Sequence, residues 1–467
     1  MKIPILSGIY TDGNGDYKIS YPRNLIPEAK ETGINSGYLR PADGIIRFSD
    51  GLGRDRGGIN WNGACYRVQG RSLVSINANG IVTKLGTVSG STPVVMDYSF
   101  DRLAINAGKN LYYYDSTSGL QQVTDTDLGN VYDMLWIDGY FMTTDGEYLI
   151  VTELNDPFSV NPLKYGSSEI DPDPIERILK LRNEVHAINR YTSEVFRNVG
   201  GSGFPFARVN GAQSTRGCVG NRAACIVGDV IMMVGGARNE GVSVWAMTSG
   251  NTVRVATDGI DDIIANYSAR QLASIVCEQR LDADHLFFYI HLPDITLVYD
   301  VQTSQVLGTP VWFTLTSGLG ERGQYRARYF TYCYNKWICG DPSSYKTGVL
   351  TKTTMEHYGD KVSWDFGTQI VYNEGRGAIF HQLELAGTPS RFPSSNGAQV
   401  WTEYSANGAT WSNRRYTKAL GRGSIDSRIV WLQMGHMINY RAMRFGGDSD
   451  SAMSVARLEA QLEPLYV

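Results

Sequence analysis

The densest group of metal-capable side chains in the sequence is Asp282, Asp284, His285 and His291, which bracket the apolar run LFFYI. A zinc ion would need its ligand atoms within about 2.0–2.3 Å. On a β-strand the two histidines would share a face, but their spacing would separate them by about 20 Å. The pattern therefore favours histidines near the ends of an ordinary strand, and no metal site is predicted.

Two further motifs have the letters of a ligand-binding loop without its context. GLGERG at 318–323 matches a dinucleotide fingerprint, but the residues after it favour a strand, so no helix N-terminus would receive a pyrophosphate. DGNGD at 12–16 offers oxygen ligands for calcium, yet Tyr17 and Arg23 stand where that loop requires glycine and glutamate. We interpret them as a glycine-rich hairpin and a surface turn, and no cofactor is predicted.

The remaining reactive side chains do not form a known catalytic pattern. No Gly-x-Ser-x-Gly or His-Glu-x-x-His motif occurs. The six cysteines lack Cys-x-x-Cys spacing and neighbouring histidines, so we expect free, buried thiols. They occupy positions 65, 218, 225, 277, 333 and 339.

Two sugar-related alternatives stay open. Residues 405–411 nearly spell the turn of sialidase-type propellers, but the turn is one residue short, occurs once, and lacks an evident arginine cluster and tyrosine nucleophile. Among 47 acidic residues, carboxylate pairs can always be found, and the sequence does not fix their separation. A β-propeller glycosidase needs two close carboxylates in a cleft, whereas a carbohydrate-binding protein needs exposed aromatic platforms.

Composition indicates an all-β protein. The 467 residues include 51 glycines, which supply positive φ in tight turns, and 28 tyrosines, which suit half-buried strands. The net charge is -4 and no dense run of lysine or arginine occurs, so sequence-specific binding of nucleic acid is not expected. No stretch of about twenty apolar residues or signal-peptide core is found, so we expect the chain to fold in a cytosol and not to span a membrane.

Short strand-like runs separated by turn residues predict antiparallel sheets in series. Groups of three or four strands without intervening helices favour a β-propeller, because about fifty residues per blade would occupy residues 49–374. An amphipathic helix is predicted from Ile260 to Tyr267 with Asp258 as its cap, and another helix start after Pro174. The strand-like runs are 64–68, 73–76, 81–85, 94–98, 103–106, 111–114, 134–137, 140–143, 148–152, 185–189, 224–227, 230–234, 242–247, 286–291 and 295–299.

Residues 401–445 predict two or three further strands, with a hairpin turn at Asn407-Gly408 and a glycine break at 421–423. Arginine and aromatic residues are interleaved here, so guanidinium groups can stack on rings and bind carboxylates. This composition suits a surface that contacts another protein. The candidate contact residues are Trp411, Arg428, Trp431, Tyr440, Arg441, Arg444 and Phe445.

A structural alternative exists for the same residues. The two tryptophans could pack in the core of their own sandwich, and Arg441 or Arg444 could pair with a local acid such as Asp426 or Glu403. Residues 387–398, GTPSRFPSSNGA, are the best candidate for a loop, a boundary or an inserted hairpin.

Several short motifs follow one another along most of the sequence. They are NLIPE at 24–28, GYLRP at 37–41, RGG at 56–58, DGYF at 138–141, RYTSEVF at 190–196, FPF at 204–206 and the C-terminal block with Trp411, Gly421, Arg428, Trp431, Gly435 and Phe445. Each motif alone is weak, whereas their order is specific. The same order occurs in the packaged-DNA stabilisation proteins of short-tailed, Salmonella-type phages, and the sequence resembles that family over most of its length.

The resemblance implies a structural virion protein, also called a tail accessory factor, head-completion protein or nozzle, and not an enzyme. Its implied place is the virion tail after assembly in the host cytoplasm. There it would form a ring of six copies that closes the DNA exit channel. The implied partners are further copies of the chain, the portal adaptor, the needle plug, the tailspike and passing double-stranded DNA, without sequence specificity.

The expected architecture is all-β, with few short helices. Residues 1–48 form an N-terminal arm that joins the platform, residues 49–374 form a β-propeller, and residues 375–467 form a β-sandwich platform. A mildly acidic chain suits a channel for DNA, because lysine clusters would bind the passing phosphates and slow the strand.

Overall fold

The computed structural model of the protein describes residues 2–3, 5–6, 21–30, 37–154, 156–373, 375–389, 398–407, 410–419 and 428–465. The surface turn predicted at 12–16, the glycine break at 421–423, Gly408 and Asp426 lie outside these residues. So does most of the loop predicted at 387–398, whose first residues belong to a strand ending at Pro389.

The N-terminal part of the chain contributes strands to both halves of the molecule. Strands are numbered along the chain, and the first three lie in a sheet with the last strand of the protein. The fourth belongs to a different sheet, described below. These strands are β1 (Lys2–Ile3), β2 (Leu25–Glu28), β3 (Tyr38–Pro41) and β4 (Gly44–Asp50).

Seven antiparallel sheets follow within the described residues, and we call them blades 1 to 7. Blade 1 contains β5 (Asp55–Trp61), β6 (Ala64–Gln69), β7 (Ser72–Ile76) and β8 (Val82–Thr87); blade 2 contains β9 (Val95–Tyr98), β10 (Leu103–Ala107), β11 (Asn110–Asp115) and β12 (Gly119–Gln122). Blade 3 contains β13 (Asp133–Ile137), β14 (Tyr140–Thr144), β15 (Tyr148–Thr152) and β16 (Val160–Ser167); blade 4 contains β17 (Ile175–Leu181), β18 (Glu184–Asn189), β19 (Ser193–Asn198) and β20 (Phe206–Arg208).

The later blades continue the series. Blade 5 contains β21 (Gly217–Cys218), β22 (Ala224–Val227), β23 (Val230–Gly236), β24 (Ser243–Thr248) and β25 (Asn251–Arg254). Blade 6 contains β26 (Val276–Asp282), β27 (His285–His291), β28 (Thr296–Asp300) and β29 (Trp312–Leu315). Blade 7 contains β30 (Arg328–Cys333), β31 (Lys336–Gly340) and β32 (Lys346–Thr351). Every strand-like run predicted from the sequence coincides with one of these strands to within two residues at either end.

Blade 7 joins the two ends of the propeller. Its outermost strand is β4, in which Gly44 pairs with Thr351 and Ile46 with Val349. The inner strands β5, β9, β13, β17, β22, β26 and β30 contact one another in ring order, from the first blade to the last and back to the first. The predicted β-propeller is therefore confirmed, and it is closed, because the first and last blades pack against each other.

Apolar residues fill the spaces between adjacent blades, so the propeller has a series of small cores. Leu135 and Met142 of blade 3, for example, pack with Ile178 and Val185 of blade 4. Because each sheet is covered by neighbours on both faces, a middle strand such as Leu103–Ala107 is buried at every residue.

Acidic side chains on inner strands fasten one blade to the next. Asp97 of blade 2 accepts a hydrogen bond from the backbone amide of Trp136 in blade 3 at 2.7 Å. Asp133 of blade 3 accepts one from the amide of Ile178 in blade 4 at 2.8 Å. These carboxylates satisfy inward-pointing amides that have no partner in their own sheet.

Helices are few and short in the described residues. The amphipathic helix predicted from Ile260 is confirmed, but its predicted cap is wrong. Thr257 precedes the first turn, while Asp258 lies within the helix and forms an ion pair with Arg254 at 2.7 Å. The helices are α1 (Asp258–Ala265), α2 (Ala269–Leu272) and α3 (Val301–Leu307), with 3-10 turns at Thr126–Leu128 and Ser449–Ser451.

The helix start predicted after Pro174 is wrong. Ile175–Leu181 forms β17, the inner strand of blade 4, and Ile175 and Ile178 are buried between blades 3 and 4. Pro174 immediately precedes this strand, where its missing amide hydrogen costs no ladder bond. Tertiary pairing therefore overrides the local helix signal.

The C-terminal part forms a two-layer sandwich. One sheet has the order β2-β3-β40-β35-β38, with β1 beside β40; the other has the order β33-β39-β36-β37, with β34 beside β39. A single apolar core draws on both sheets. The strands are β33 (Ser363–Gly367), β34 (Val371–Tyr372), β35 (Ala378–Pro389), β36 (Gln399–Ser405), β37 (Arg415–Lys418), β38 (Ile429–Met437), β39 (Tyr440–Asp448) and β40 (Met453–Pro464).

Two strands lie on the other side of the predicted domain boundaries. Gly44–Asp50, most of which was assigned to the arm, pairs within blade 7, and Ser363–Gly367, assigned to the propeller, pairs with β39 of the sandwich. The first three strands of the arm lie in a sheet of the sandwich.

The role of the inter-blade carboxylates can be tested with Asp97→Ala. The change leaves the amide of Trp136 without its acceptor, so the free energy of unfolding should fall by about 1–3 kcal/mol. Urea denaturation measures this loss. The matched control is Asp229→Ala at an exposed turn of blade 5, which should have little effect. Equal stability of the two variants would contradict the assigned role.

Candidate functional site at the domain junction

The aromatic residues Trp431 and Phe445 lie inside the sandwich, one on each sheet. Both are buried, and their ring centroids are 5.4 Å apart. Phe445 also stacks on Phe366 at 5.5 Å, and Trp431 Nε1 donates to the carbonyl of Arg415 at 3.0 Å. Within the folded subunit these two residues therefore hold the sheets together, as the structural alternative predicts for Trp431.

Arg441 is also internal, with only 1% of its surface exposed. Its Nη1 and Nη2 donate to the carbonyls of Met434 and His436 at 2.8 and 2.9 Å. The guanidinium lies 3.9 Å from the ring centroid of Tyr404 and 4.5 Å from that of Phe380. Burial lowers its pKa. Arg441 of β39 therefore binds β38 of the opposite sheet through carbonyls and contacts rings of both sheets.

Arg444 joins the sandwich to the propeller. Its guanidinium pairs with Glu403 of the sandwich at 3.2 Å and with Glu321 of the loop between blades 6 and 7 at 3.1 Å. It also lies over the ring of Trp411 at 5.1 Å. The predicted pairing with Glu403 matches this geometry, and the contact with Glu321 adds a role within the subunit.

The remaining members of the predicted set reach the surface of the subunit. Arg428 is exposed, and its Nε donates to Glu384 at 2.7 Å. Trp411 is half-buried, as is Tyr440, which pairs with Tyr372 across β34 and β39. The structure therefore leaves Arg428, Trp411 and Tyr440 accessible to a partner.

Arg23 and Asn24 of the arm lie between the two domains. Arg23 Nε donates to Asp365 at 2.7 Å, and its Nη1 donates to the carbonyl of Gly320 at 2.7 Å. Asn24 adopts a left-handed φ of 55°, and its amide donates to the carbonyl of Ser363 at 2.7 Å. Both residues are buried. A cation of the arm is thus shared between the propeller loop and strand β33.

The glycine-rich segment 318–323 is the propeller loop that binds Arg23. The hairpin predicted there is wrong, because the flanking strands β29 and β30 belong to different blades and do not pair. The loop uses its backbone and one side chain: Gly318 accepts from the Ser363 amide at 3.1 Å, and Glu321 binds Arg444. Its glycines serve domain contact.

A second set of buried charges ties the arm to blade 6. Glu28 of β2 forms ion pairs with Arg40 of β3 and with His285 Nε2, the latter at 3.0 Å. The other ring nitrogen, His285 Nδ1, lies 2.6 Å from Asp300. His285 therefore sits between two carboxylates, one from the arm and one from the propeller.

Arg40 extends the network further. It pairs with Asp43 at 3.2 Å and Asp282 at 3.3 Å, while Arg280 of blade 6 reaches Asp43 at 2.8 Å. Lys352 also forms an ion pair with Asp282 at 2.8 Å. Because the cations and acids alternate, each buried charge has a partner of opposite sign.

The pKa values of His285 and Glu28 lie far from their ordinary ranges. Burial alone would lower the pKa of His285, but its hydrogen bonds with Asp300 and Glu28 and their charges raise it to about 9. Burial alone would raise the pKa of Glu28, but His285 and Arg40 lower it to about 2. The contact is therefore an ion pair at neutral pH.

The sequence contained a signal for this network, although its meaning was not apparent. Asp282 and His285 belong to the polar cluster considered for metal binding, and the motifs at 24–28 and 37–41 supply Glu28 and Arg40. His291 has separate partners, Glu278 at 2.7 Å and Thr296 at 3.0 Å. The histidines of β27 therefore serve two different contacts.

Other classes of site find little support in the described part of the chain. No group of three or more histidine, cysteine or acidic residues there is arranged to hold a metal. All six cysteines are free thiols, five of them buried. Asn407, in the turn that resembles a sialidase repeat, follows β36 of the sandwich instead of lying in a blade. No described helix has the length and apolar character needed to cross a bilayer.

These observations define a class: a closed β-propeller fixed to a β-sandwich through a shared N-terminal arm, with its most elaborate polar contacts at the junction. The family model described as bacteriophage P22 Gp10, beta-propeller, matches residues 1–355, and that described as bacteriophage P22 Gp10, beta-sandwich, matches residues 363–463. The chain therefore belongs to the P22 Gp10 family of phage proteins, and it is a component of the virion tail.

The chain is also similar to individual proteins. The tail hub protein gp10 of Salmonella phage P22 is 25% identical, and the match covers 99% of each chain. Among solved structures, the WD40 domain of Neurospora crassa Pan2 has a TM-score of 0.42 at 9% identity, covering 66% of this chain and 95% of that one. The designed protein Ika8 has a TM-score of 0.40 at 13% identity, covering 74% and 99%.

The contact of His285 with Glu28 predicts a defined pH dependence. The pKa of His285 is raised in the folded state. Its contribution to the free energy of unfolding is therefore complete below about pH 6.5 and is lost as the pH rises through about 9. His285→Gln should destabilise the protein by on the order of 2–3 kcal/mol at pH 6 and much less at pH 10. Thermal denaturation across this range measures the difference.

The control for this series is His381→Gln, which removes an exposed histidine paired with Glu463. Its stability difference from wild type should be small at each pH. A His285→Gln difference that does not change between pH 6 and pH 10 would refute the ion-pair assignment.

The buried contacts of Arg23 predict that Arg23→Met lowers the stability of the protein. After this change the buried Asp365 keeps one cationic neighbour, Arg444, at 3.7 Å. The free energy of unfolding should therefore fall by about 3 kcal/mol. Urea denaturation measures the loss, and limited proteolysis between the two domains should accelerate. Arg47→Met, which removes an exposed pair with Asp50, is the matched control and should behave like wild type.

Proposed function

We propose that the protein assembles as a ring of six copies on the tail axis, below the portal and its adaptor. The ring extends the DNA exit channel and closes it after packaging, so that packaged DNA is retained until ejection. It also supports the needle plug and the tailspikes. The observation that carries this proposal is the match of both domains, over nearly the whole chain, to the Gp10 family.

The junction supports a mechanical role for each subunit. A tail component must transmit force between its partners without its domains separating. Here the arm crosses from sandwich to propeller, and buried ion pairs at Arg23 and Glu28 fix the two bodies together, while Arg444 adds a pair with the exposed Glu321. Breaking such a pair leaves an uncompensated buried charge, which costs about 3–5 kcal/mol. This arrangement favours a rigid building block.

The charge of the chain suits a channel for DNA. Its formal net charge is -4, and the sequence has no dense basic run. Each phosphate held by lysine or arginine would add favourable counterion release, which would oppose movement of the strand. A weakly acidic wall avoids this, so retention of DNA is assigned to subunit packing and the plug.

The sandwich carries the proposed contact surface. Tyr372, Tyr416, Leu432 and Ile438 are all more than half exposed, although large apolar side chains are usually buried. The first of these pairs with Tyr440, and the fourth lies at the turn that connects β38 to β39. Exposed apolar and aromatic groups are typical of protein interfaces.

We propose a functional division that follows the sequence boundaries: an arm at 1–48, a propeller at 49–374 and a platform at 375–467. The platform, completed by the arm strands and Ser363–Gly367, makes the ring and adaptor contacts through Arg428, Trp411 and Tyr440. The propeller projects outward from this platform. Trp431, Arg441, Arg444 and Phe445 act within the subunit by keeping that platform folded.

Electron microscopy of purified particles tests the proposal. Density for this chain should form a closed ring around the tail axis below the adaptor, with the sandwich nearer the axis than the propeller. Particles lacking the protein should lose packaged DNA. Isolated copies away from the axis, or unchanged DNA retention without the protein, would contradict the proposal.

A charge reversal at the accessible arginine makes the test residue-specific. Arg428→Glu should lower incorporation into particles by at least about tenfold, because it removes an interface cation and places two acids side by side. Quantitative immunoblots of purified particles measure incorporation. Arg197→Glu, which alters a similarly exposed pair with Glu184 on the propeller, is the matched control. Normal incorporation of both variants would exclude the Arg428 contact.

A further inference from the structure

The axis of the propeller contains a chain of direct contacts that begins in blades 3 and 4. Arg177 of β17 donates from Nη1 to Asp133 of β13 at 2.9 Å. Tyr132, the residue before Asp133, accepts a hydrogen bond from Asn221 of blade 5 at 2.7 Å. Because Asn221 reaches past blade 4 to blade 3, the segment that precedes β22 lies across the axis.

The same chain continues through blades 5, 6 and 7. The carbonyl of Arg222 accepts from the amide of Cys277 at 2.7 Å. Glu278, the next residue, accepts from the amide of Tyr329 at 2.9 Å. Arg328 precedes Tyr329 in sequence. The contacts therefore bring the backbone segments that carry Arg177, Arg222 and Arg328, from three different blades, around the axis.

These arginines lack sufficient counter-charges among the residues that the structure describes. Arg222 donates no side-chain hydrogen bond there and has no carboxylate within ion-pair distance. Arg328 has one long bond, from Nη2 to the carbonyl of Leu292 at 3.4 Å. The Nε atoms of Arg177, Arg222 and Arg328 are buried without a partner. Each residue as a whole remains partly accessible.

The nearby acids are already engaged. Asp133 accepts from Arg177 and from the backbone amide of Ile178. Both oxygens of Glu278 accept backbone amides of β30, and Oε1 also contacts His291. Asp97, whose charge acts on Arg177, also directs its oxygens to backbone amides, and Asp55 pairs with Arg67. Most carboxylate lone pairs at the axis are thus directed to the backbone or to Arg67, and the excess there is one of hydrogen-bond donors.

Tyr329 adds a hydroxyl to this set through an unusual backbone. It has a left-handed φ of 57° and lies where the register of β30 shifts against β31. Such a conformation is costly for a residue with a Cβ, and bulges of this kind redirect a side chain. Its amide is held by Glu278 and its carbonyl by Arg67 Nη2 at 2.9 Å. The fold therefore stabilises an otherwise strained tyrosine at the axis.

The protonation energetics agree with this geometry. Burial and then the neighbouring Arg177 lower the pKa of Arg222 to about 10, against the opposing influence of Asp133, Tyr329 and Glu278. Burial likewise lowers the pKa of Arg328. A guanidinium confined beside another cation is stabilised by any anion that enters.

We propose that the propeller axis is a binding site for a small oxyanion of the phosphate class. Arg222 is the principal ligand, and Arg177, Arg328 and the hydroxyl of Tyr329 are further donors. Guanidinium groups bind such oxygens through paired, charge-assisted hydrogen bonds. The bound anion neutralises the charge of Arg222 and links blades 4, 5 and 7. This site does not depend on the proposed ring.

Calorimetric titration of the wild-type protein with inorganic phosphate tests the site directly. Chloride is varied to keep the ionic strength constant. We expect saturable binding of one phosphate per chain and a denaturation midpoint that rises with phosphate concentration. Absence of binding heat, or equal midpoints in phosphate and chloride, would overturn the proposal. Tighter binding of acetate than of phosphate would overturn the assigned chemical class.

Arg222→Gln separates the site from general salt effects. The variant should bind phosphate at least about tenfold more weakly. In chloride alone its denaturation midpoint should equal or exceed that of wild type, because an unpaired confined cation has been removed. Arg270→Gln on the exposed surface of α2 makes the same charge change and should retain wild-type affinity.

Equal phosphate affinity in Arg222→Gln and Arg270→Gln would refute the site. Should Arg222→Gln fail to fold, which would itself contradict the expected gain in chloride, Arg328→Gln supplies an independent measurement of phosphate affinity. Loss of affinity in that variant would support the site, and wild-type affinity would refute it.

Discussion

The pairing of Arg23 with Asp365 is the interaction on which the arrangement of the two domains depends. A guanidinium in this position has left water, and the cost of that transfer is recovered only if carboxylate and carbonyl acceptors meet it in the right geometry. The acceptors come from strand β33 and from the loop that follows blade 6. Propeller and sandwich must therefore be in register before the arm can bury its charge, and once buried it resists their separation.

The propeller itself obtains its stability in a distributed manner. Its apolar residues form several modest cores between blades, and inner-strand carboxylates such as Asp97 and Asp133 bind amides of the following blade. Each blade therefore depends on its neighbours for both packing and hydrogen bonds. The final contact, between β4 and β32, makes this dependence circular. Rigidity at the junction and closure of the ring together give a subunit with few independent motions.

The sequence predicts the propeller strands well because alternating burial and glycine turns are local signals. It misleads after Pro174, where a helix-like start becomes the inner strand β17 because neighbouring blades supply its partners. The sequence predicts the candidate contact residues of the C-terminal block less completely than it predicts the strands. Composition identified Arg441 and Phe445, but only tertiary structure shows that both are internal. Glu28 and His285 are 257 positions apart in the chain, so no local pattern could reveal their ion pair.

The strand order has a consequence for biosynthesis. Blade 7 needs β4 from the beginning of the chain and β32 from residue 346 onward, while the sandwich needs the arm and β40, whose last residue is Pro464. A nascent polypeptide emerging from the ribosome therefore keeps unpaired strand edges until β40 has been synthesised. The native topology is complete only after this strand has emerged, and chains terminated before it cannot imitate the finished subunit.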